Sequence, residues 1–263
     1  MRFAVSCPNA GDPARLVALA QDSERAGWDG FFVWDHLHLV RAMALDLHDP
    51  WVLLGAVAHA TQRLRIGALV TPVARRRPWK LAKEIVTLDH LSGGRVTVGV
   101  GLGWPDDDDF GAFGEPAAPA ARAAVYDEGL DLLDRLLRGG PVRSAGPTYA
   151  IDVDLHPGPV QRPRPPVWVA AMSAGRPLAR AARYDGVALA SGDGEPVTPD
   201  DVARLVAALP AHGHPFDVIV PWAPAHAPVR YYEAGATWLV AGCWPEDDWF
   251  DGLEAWARRG PGA

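Results

Sequence analysis

The sequence predicts an α/β fold, a (β/α)8 TIM barrel, on three observations. Short apolar runs alternate with longer helical patterns along the whole chain, which is typical of repeated βα units. Eight such units in 263 residues agree with the usual length of about 250 residues for this barrel. An open nucleotide-binding sheet would usually carry G-x-G-x-x-G after its first strand, whereas residues 7–11 read CPNAG. The barrel is therefore preferred to the open sheet.

The first half of the chain supplies four strands and three helices. The first two helices begin with the same signal, an aspartate followed by proline, at Asp12-Pro13 and Asp49-Pro50. The carboxylate can cap the helix, and proline fits the first helical turn. The predicted strands are residues 2–6, 30–34, 64–70 and 95–100, and the predicted helices are residues 13–26, 50–61 and 78–91.

The second half continues the pattern after two interruptions. Residues 101–119 form a loop rich in Gly, Asp and Pro, and residues 139–166 form a proline-rich excursion outside the barrel. A fourth helix, with leucines at helical spacing, lies between them. We expect one barrel domain over residues 1–263. Its later strands are predicted at residues 167–170, 186–190, 216–220 and 237–241, and its later helices at residues 175–184, 200–209 and 249–258, with a short helix ending near 234 and a cap near Thr198.

Composition narrows the function classes. The 32 acidic residues outnumber the 25 basic ones, for a net charge of -7, which argues against a nucleic acid or an anionic membrane as partner. The two cysteines cannot make a disulfide scaffold. No stretch approaches the roughly 20 apolar residues of a membrane span, and no signal peptide is evident. We therefore expect a cytoplasmic protein that acts on a small molecule.

Candidate catalytic residues follow the strands, because the active site of such a barrel lies at the carboxyl ends of its strands. His36 follows the second strand and is suited to proton transfer near neutral pH. Its neighbour Asp35 should face the opposite way and should not orient it. The alternative interpretation is that Asp35 caps a loop and His36 packs beneath it. Further candidates are Thr71, Gly101 to Trp104, and Met172 to Ala174.

Two loops could hold an anion or a cation. Residues 170–175 read AAMSAG between a strand and a helix, where free N–H groups favour a phosphate, although an ordinary tight turn has the same composition. The acidic run from Asp106 to Asp109 is interpreted as a solvated surface run. His36-x-His38 resembles the first metal-ligand pair of barrel hydrolases, but later ligands are hard to find, so we expect no metal.

A set of short segments occurs in order along nearly the whole chain. They are GWDG (27–30) leading to WDH (34–36), DPW (49–51), LRIG (64–67) leading to TP (71–72), RRRPWKLAK (75–83), TLDHLSGGR (87–95), GVGLGW (99–104), PVQRPRPPVWV (159–169) and AGATW (234–238). Together they resemble the bacterial luciferase-like family of flavin- or deazaflavin-dependent oxidoreductases. The resemblance implies a luciferase-like (β/α)8 barrel that binds the deazaflavin coenzyme F-420, or FMN as the alternative, in its mouth.

The resemblance also implies residue roles. It assigns catalysis to His36 and places a non-proline cis peptide at Ala68-Leu69, behind the cofactor ring. The turn from Met172 to Gly175 matches the family's phosphate-binding turn. The residues expected to contact the cofactor are Asp35, Ala68, Leu69, Thr71, Gly101, Ala171, Met172, Ser173, Ala174 and Gly175.

One position departs from the family. Sugar-phosphate dehydrogenases of the deazaflavin branch have an acidic proton donor after Gly-x-Gly-x-Gly, where this chain has Trp104, which we place in the substrate pocket. The expected reaction is hydride transfer between F-420 or FMN and a small organic substrate, or monooxygenation if the cofactor is FMN. A non-catalytic cofactor-binding barrel and a metal-dependent hydrolase are the alternatives. The family suggests a homodimer.

Overall fold

The computed structural model describes residues 1–190, 195–246 and 248–261. Nine strands form one parallel sheet that curves into a barrel with helices outside it, and this confirms the predicted (β/α)8 fold. Two further strands, β6 and β7, lie outside this sheet. In chain order the strands are β1 (Arg2–Cys7), β2 (Gly30–Val33), β3 (Arg65–Ala68), β4 (Thr71–Pro72), β5 (Val98–Gly101), β6 (Pro141–Ala145), β7 (Ala150–Asp154), β8 (Val167–Ala171), β9 (Gly186–Leu189), β10 (Asp217–Pro221) and β11 (Trp238–Ala241).

The order of the strands around the barrel is β3-β2-β1-β11-β10-β9-β8-β5-β4. The third predicted strand is divided. Its first part, β3, pairs with β2 as far as Ala68, and its second part, β4, pairs with β5 from Thr71 onward. A bridge between Ile66 and Val96 joins β3 to the residues that precede β5, so both sides of the divided strand are paired.

The helices alternate with the barrel strands as predicted. Asp12 and Asp49 accept hydrogen bonds from the amides of Ala14 and Val52, and Thr198 forms a capping box with Asp201, so the three predicted caps are confirmed. The helices are α1 (Pro13–Arg25), α2 (Pro50–Ala60), α3 (Pro78–Ser92), α4 (Pro119–Arg138), α5 (Arg176–Ala181), α6 (Pro199–Ala207), α7 (Pro228–Glu233) and α8 (Trp249–Arg259), with short 3-10 turns at Arg41–Met43, Val73–Arg75 and Gly111–Phe113.

One prediction about local structure needs correction. The non-proline cis peptide lies at Leu69-Val70, one residue later than predicted, in the gap between β3 and β4. The predicted excursion at residues 139–166 contains regular structure, because β6 and β7 form an antiparallel hairpin separate from the barrel sheet. Glu128 of α4 holds this hairpin against the helix by accepting hydrogen bonds from the amides of Thr148 and Tyr149.

The barrel interior is filled by aromatic side chains. Phe32, Trp168 and Trp238 contact one another with ring centroids 5.2–6.3 Å apart, and all three are buried. Gly186 provides the room, since a Cβ atom there would lie 2.7 Å from the Trp168 ring. These three rings, the aromatic plug, fill the interior of the barrel. We therefore expect open space nearer the carboxyl ends of the strands. No helix in the described part of the chain is long and apolar enough to cross a membrane.

Candidate active site

A cavity of about 340 Å³ opens above the aromatic plug, at the carboxyl ends of the strands. Apolar side chains and backbone make up most of its wall. One side is formed by Leu69 and Val70, which share the cis peptide, and by Ala170 of β8. The wall also includes Trp34, Trp222, Cys243 and Trp244. Its position agrees with the rule that barrel active sites lie at this face.

His36 is bound to a carboxylate near the cavity. Its Nδ1 atom lies 2.6 Å from Oδ2 of Asp109, and the exposed fraction of the His36 side chain is 18%. The ring contacts Trp34 edge-on with centroids 5.9 Å apart, and Trp34 lines the cavity. A carboxylate can only accept, so Nδ1 carries the proton and donates it to Asp109. Among the described residues no hydrogen-bond partner is found for Nε2, which is left free for a ligand.

Asp109 is held in its ionised form. Its Oδ1 atom accepts hydrogen bonds from the amides of Leu37, His38 and Leu39, at 2.7–3.0 Å. Arg75 lies 3.2 Å from its other oxygen. Burial alone would raise the pKa of Asp109, but the bonds from His36 and the amides, with the charge of Arg75, lower it from 3.8 to about 2. His36 therefore faces a permanent negative charge near neutral pH.

We expect Asp109→Asn to lower the free energy of unfolding by roughly 2 kcal/mol at pH 7, because about two pKa units separate the folded and unfolded carboxyl groups. The lowered pKa means that this stabilisation is fully present above about pH 4 and is lost as the pH falls from 4 towards 2. Urea unfolding of the wild-type protein and the variant measures it. The difference between them should fall to about half at pH 3, and a difference independent of pH would contradict the assignment.

The sequence interpretation of the acidic run is wrong at Asp109. The run was expected to be solvated, but the Asp109 side chain is 1% exposed. In loop 102–118, Phe110 is buried, and its ring contacts the guanidinium groups of Arg75 and Arg122. Burial of Phe110 carries its neighbour Asp109 inward. An aromatic residue at the end of a charged run was the available signal.

Asp35 is a buried counter-ion instead of part of the cavity wall. Its side chain has no exposed surface, and its oxygens accept from Arg75 at 3.0 Å, from Arg76 at 2.9–3.0 Å and from the hydroxyl of Thr71 at 2.9 Å. Cofactor contact by Asp35 and Thr71 stays a prediction; neither residue is in the cavity wall, and their polar atoms are used by one another and by the arginines. As predicted, Asp35 does not orient His36.

The other predicted cofactor residues divide into three groups. Leu69 lines the cavity directly. Ala68, Gly101 and Ala171 are buried and are not part of its wall, although a Cβ atom on Gly101 would lie 2.6 Å from Val70, so the glycine lets the cis segment pack. Met172, Ser173, Ala174 and Gly175 form an exposed turn before α5, which has only six residues. Phosphate binding at this turn stays a prediction.

Trp104, the residue at the position of the expected acid, lies at the rim. Its side chain is 52% exposed and contacts Trp244, with ring centroids 5.9 Å apart. Trp244 in turn contacts Trp34 at 5.9 Å. These three rings, the rim tryptophans, extend from the cavity wall to the solvent.

The described residues give the metal-hydrolase alternative no ligand set. No three His, Cys, Asp or Glu side chains come together among them in a way that could hold a metal ion. His38 packs against Phe113 with centroids 4.8 Å apart, while His36 is bound to Asp109. The two histidines of the His-x-His pair therefore contact different residues, His36 with Asp109 and His38 with Phe113.

Comparison with known proteins agrees with this geometry. The family model for luciferase-like monooxygenases matches residues 1–238. The chain belongs to the luciferase-like monooxygenase family. The resemblance predicted from short sequence segments is thereby confirmed.

Relatives within this luciferase-like family include the Mycobacterium bovis protein Mb0978c, which is 34% identical over 208 residues, covering 71% of this chain and 68% of that protein. The F-420-dependent glucose-6-phosphate dehydrogenase of Beutenbergia cavernae is 32% identical over 199 residues, covering 69% of this chain and 54% of the enzyme. A Sinorhizobium fredii relative is spanned over only 44% of its length. The chain thus spans about half to two thirds of these luciferase-like relatives.

Solved structures of luciferase-like enzymes share the fold. The F-420-dependent tetrahydromethanopterin reductase from Methanopyrus kandleri has a TM-score of 0.77 at 17% identity, with 98% of both chains covered. The oxygenating constituent of 3,6-diketocamphane monooxygenase from Pseudomonas putida, solved in complex with FMN, has a TM-score of 0.66 at 15% identity, covering 84% of this chain and 67% of that one. Both F-420 and FMN therefore occur among proteins of this fold.

Proposed function

We propose that this luciferase-like protein is an oxidoreductase that transfers a hydride between F-420 and a small organic substrate, with His36 as the proton-transfer residue. The observation that carries the proposal is the His36–Asp109 pair beside an apolar cavity at the barrel mouth. F-420 is preferred to FMN because the B. cavernae relative named above is F-420-dependent. Monooxygenation with FMN is the alternative reaction.

The cavity fits a flat, largely apolar ring system. Its volume of about 340 Å³ is near the lower end of the roughly 300–1,000 Å³ of small-molecule sites. Leu69, Val70 and Ala170 would contact the ring, and the turn from Met172 to Gly175 would face a phosphate. When bound, the reduced deazaflavin supplies the hydride, and the protein supplies position, electrostatics and exclusion of water.

In this proposal, residues of the chain itself hold and transfer the proton that accompanies the hydride. Asp109 keeps the His36 Nδ1 proton in place, so Nε2 is the atom that accepts or gives a proton. The buried carboxylate also stabilises the positive charge on the ring when Nε2 is protonated. Three backbone amides and Arg75 fix Asp109 in turn, so the imidazole is oriented by a carboxylate that cannot readily move.

Titration of the purified protein tests cofactor binding. We expect F-420 to bind with micromolar affinity, measured by quenching of its fluorescence, and FMN to bind at least about tenfold more weakly. Ala170→Phe should abolish F-420 binding because it fills the cavity, whereas Ala150→Phe, on the exposed hairpin strand β7, should leave it unchanged. Binding of neither cofactor to the wild-type protein would contradict the proposal.

A non-catalytic cofactor-binding barrel is the second candidate, because Trp104 occupies the position of the acidic proton donor. Asp109 weakens this candidate by giving His36 a carboxylate partner. Oxidation of reduced F-420 that depends on an added substrate would reject it. The homodimer stays a prediction.

A further inference from the structure

The described part of the cavity wall carries no charged side chain. No described residue that lines it is Asp, Glu, Lys, Arg or His. Several of its polar groups have protein partners: the hydroxyl of Ser6 accepts from Trp34 Nε1 at 3.1 Å, and the thiol of Cys243 lies 3.5 Å from the carbonyl oxygen of Trp249. Burial raises the pKa of the Cys243 thiol, so this group is neutral as well. A charged ligand group would lose its hydration here without compensation.

The two arginines that pair with Asp35, next to the His36 site, are not available to a ligand. Arg75 and Arg76 have side chains that are 6% and 16% exposed, and both are paired with Asp35. Arg75 is also paired with Asp109. Side-chain recognition of a phosphate or carboxylate commonly uses arginine or lysine donors, and arginine presents them in a forked geometry. The guanidinium groups beside this site are instead committed to internal carboxylates.

The rim presents apolar surface to solvent. Trp104 and Trp244 are 52% and 41% exposed and form a contiguous pair. Large aromatic side chains left exposed around a cavity are typical of ligand-binding surfaces, since they supply area and stacking without a charge. Trp244 also lines the cavity, so a molecule that extends out of the cavity can pack over this pair.

We propose that the substrate is an uncharged, mainly apolar molecule with a planar or aromatic portion, which packs against Trp104 and Trp244, and that sugar phosphates and other anions are excluded. The assignment of this molecule as the substrate rests on the proposed function. The binding preference itself rests only on the wall and the rim.

Matched probes test the preference. Acetophenone and 4-acetylbenzoate share a skeleton and differ by one carboxylate, and glucose 6-phosphate represents the sugar phosphates. Affinities for the F-420-loaded protein are measured by equilibrium dialysis. We expect acetophenone to bind at least about tenfold more tightly than either anion, because the carboxylate or phosphate would be desolvated without a partner.

Variants locate the contact. Trp104→Ala and Trp244→Ala should each weaken acetophenone binding by about fivefold, the worth of a stacked aromatic pair. F-420 affinity should stay within about twofold in the Trp104 variant, because Trp104 is not among the residues that line the cavity. Trp79→Ala is the matched control, because Trp79 packs against Tyr149 away from the mouth and should change neither affinity. Trp244→Arg should raise the affinity for 4-acetylbenzoate.

Equal or tighter binding of either anion, or unchanged acetophenone affinity in both rim variants, would overturn the inference. The two proposals fail separately. If neither F-420 nor FMN binds, the proposed function fails, and the same probes applied to the protein alone still decide the preference: tighter acetophenone binding that weakens in the rim variants supports it, and any other ranking rejects it.

Discussion

His36→Ala is expected to lower the rate of F-420 oxidation by about 10²–10⁴-fold, the usual worth of a positioned proton-transfer group. The affinity for F-420 should stay within about twofold, since the wall that would hold the ring is made by other residues such as Leu69 and Ala170. Single-turnover oxidation of reduced F-420, with the best acceptor from a screen of uncharged ketones, measures the rate. Fluorescence quenching measures the affinity.

The matched control for this experiment is His59→Ala, on the exposed face of α2, which should leave both quantities unchanged. A His36 variant that retains the wild-type rate would remove the histidine from the mechanism. A variant that loses F-420 affinity in proportion to its rate would show that His36 binds the cofactor instead of moving a proton. Neither result would alter the apolar preference of the rim.

Asp35→Asn is expected to lower the free energy of unfolding by about 3–5 kcal/mol, the usual cost of removing one partner from a buried ion pair. The amide keeps the shape of the side chain but withdraws the negative charge shared by Arg75 and Arg76, whose guanidinium groups are largely desolvated. Urea unfolding at pH 7 measures the change.

An exposed ion pair provides the comparison for Asp35. Asp152 pairs with Arg143 at 3.0 Å, but the two side chains are 66% and 82% exposed. Asp152→Asn should therefore cost less than about 1 kcal/mol, because solvent screens such pairs. If the two variants lost similar stability, the buried cluster would not contribute as its geometry indicates.

Local signals in the sequence were sufficient to predict the barrel. Apolar runs such as that preceding His36 became strands because a short continuous apolar run and its flanking turn residues are local properties. The Asp-Pro signals at the starts of α1 and α2 were likewise local, and both helices begin where they were expected. The prediction that Asp35 and His36 face different surroundings followed from strand alternation and agrees with the contacts found.

Long-range contacts account for what the sequence analysis missed. Asp109 lies 73 residues from His36, in a run of four aspartates whose members look alike in sequence. Arg75 and Arg76 are buried while Arg77, beside them, is exposed, and no periodicity distinguishes the three. The extent to which each arginine is buried depends on how loop 102–118 meets the carboxyl end of β2.

The sequence by itself determined the barrel, the family and the candidacy of His36. Apolar runs, helix caps and short ordered segments are each formed by residues that are neighbours in the chain. Only the tertiary structure decided which acid serves the histidine and what chemistry the cavity accepts. Those depend on the closing of the barrel, which brings Asp109 to His36, buries Asp35 between two arginines and assembles an uncharged wall from the ends of separate strands.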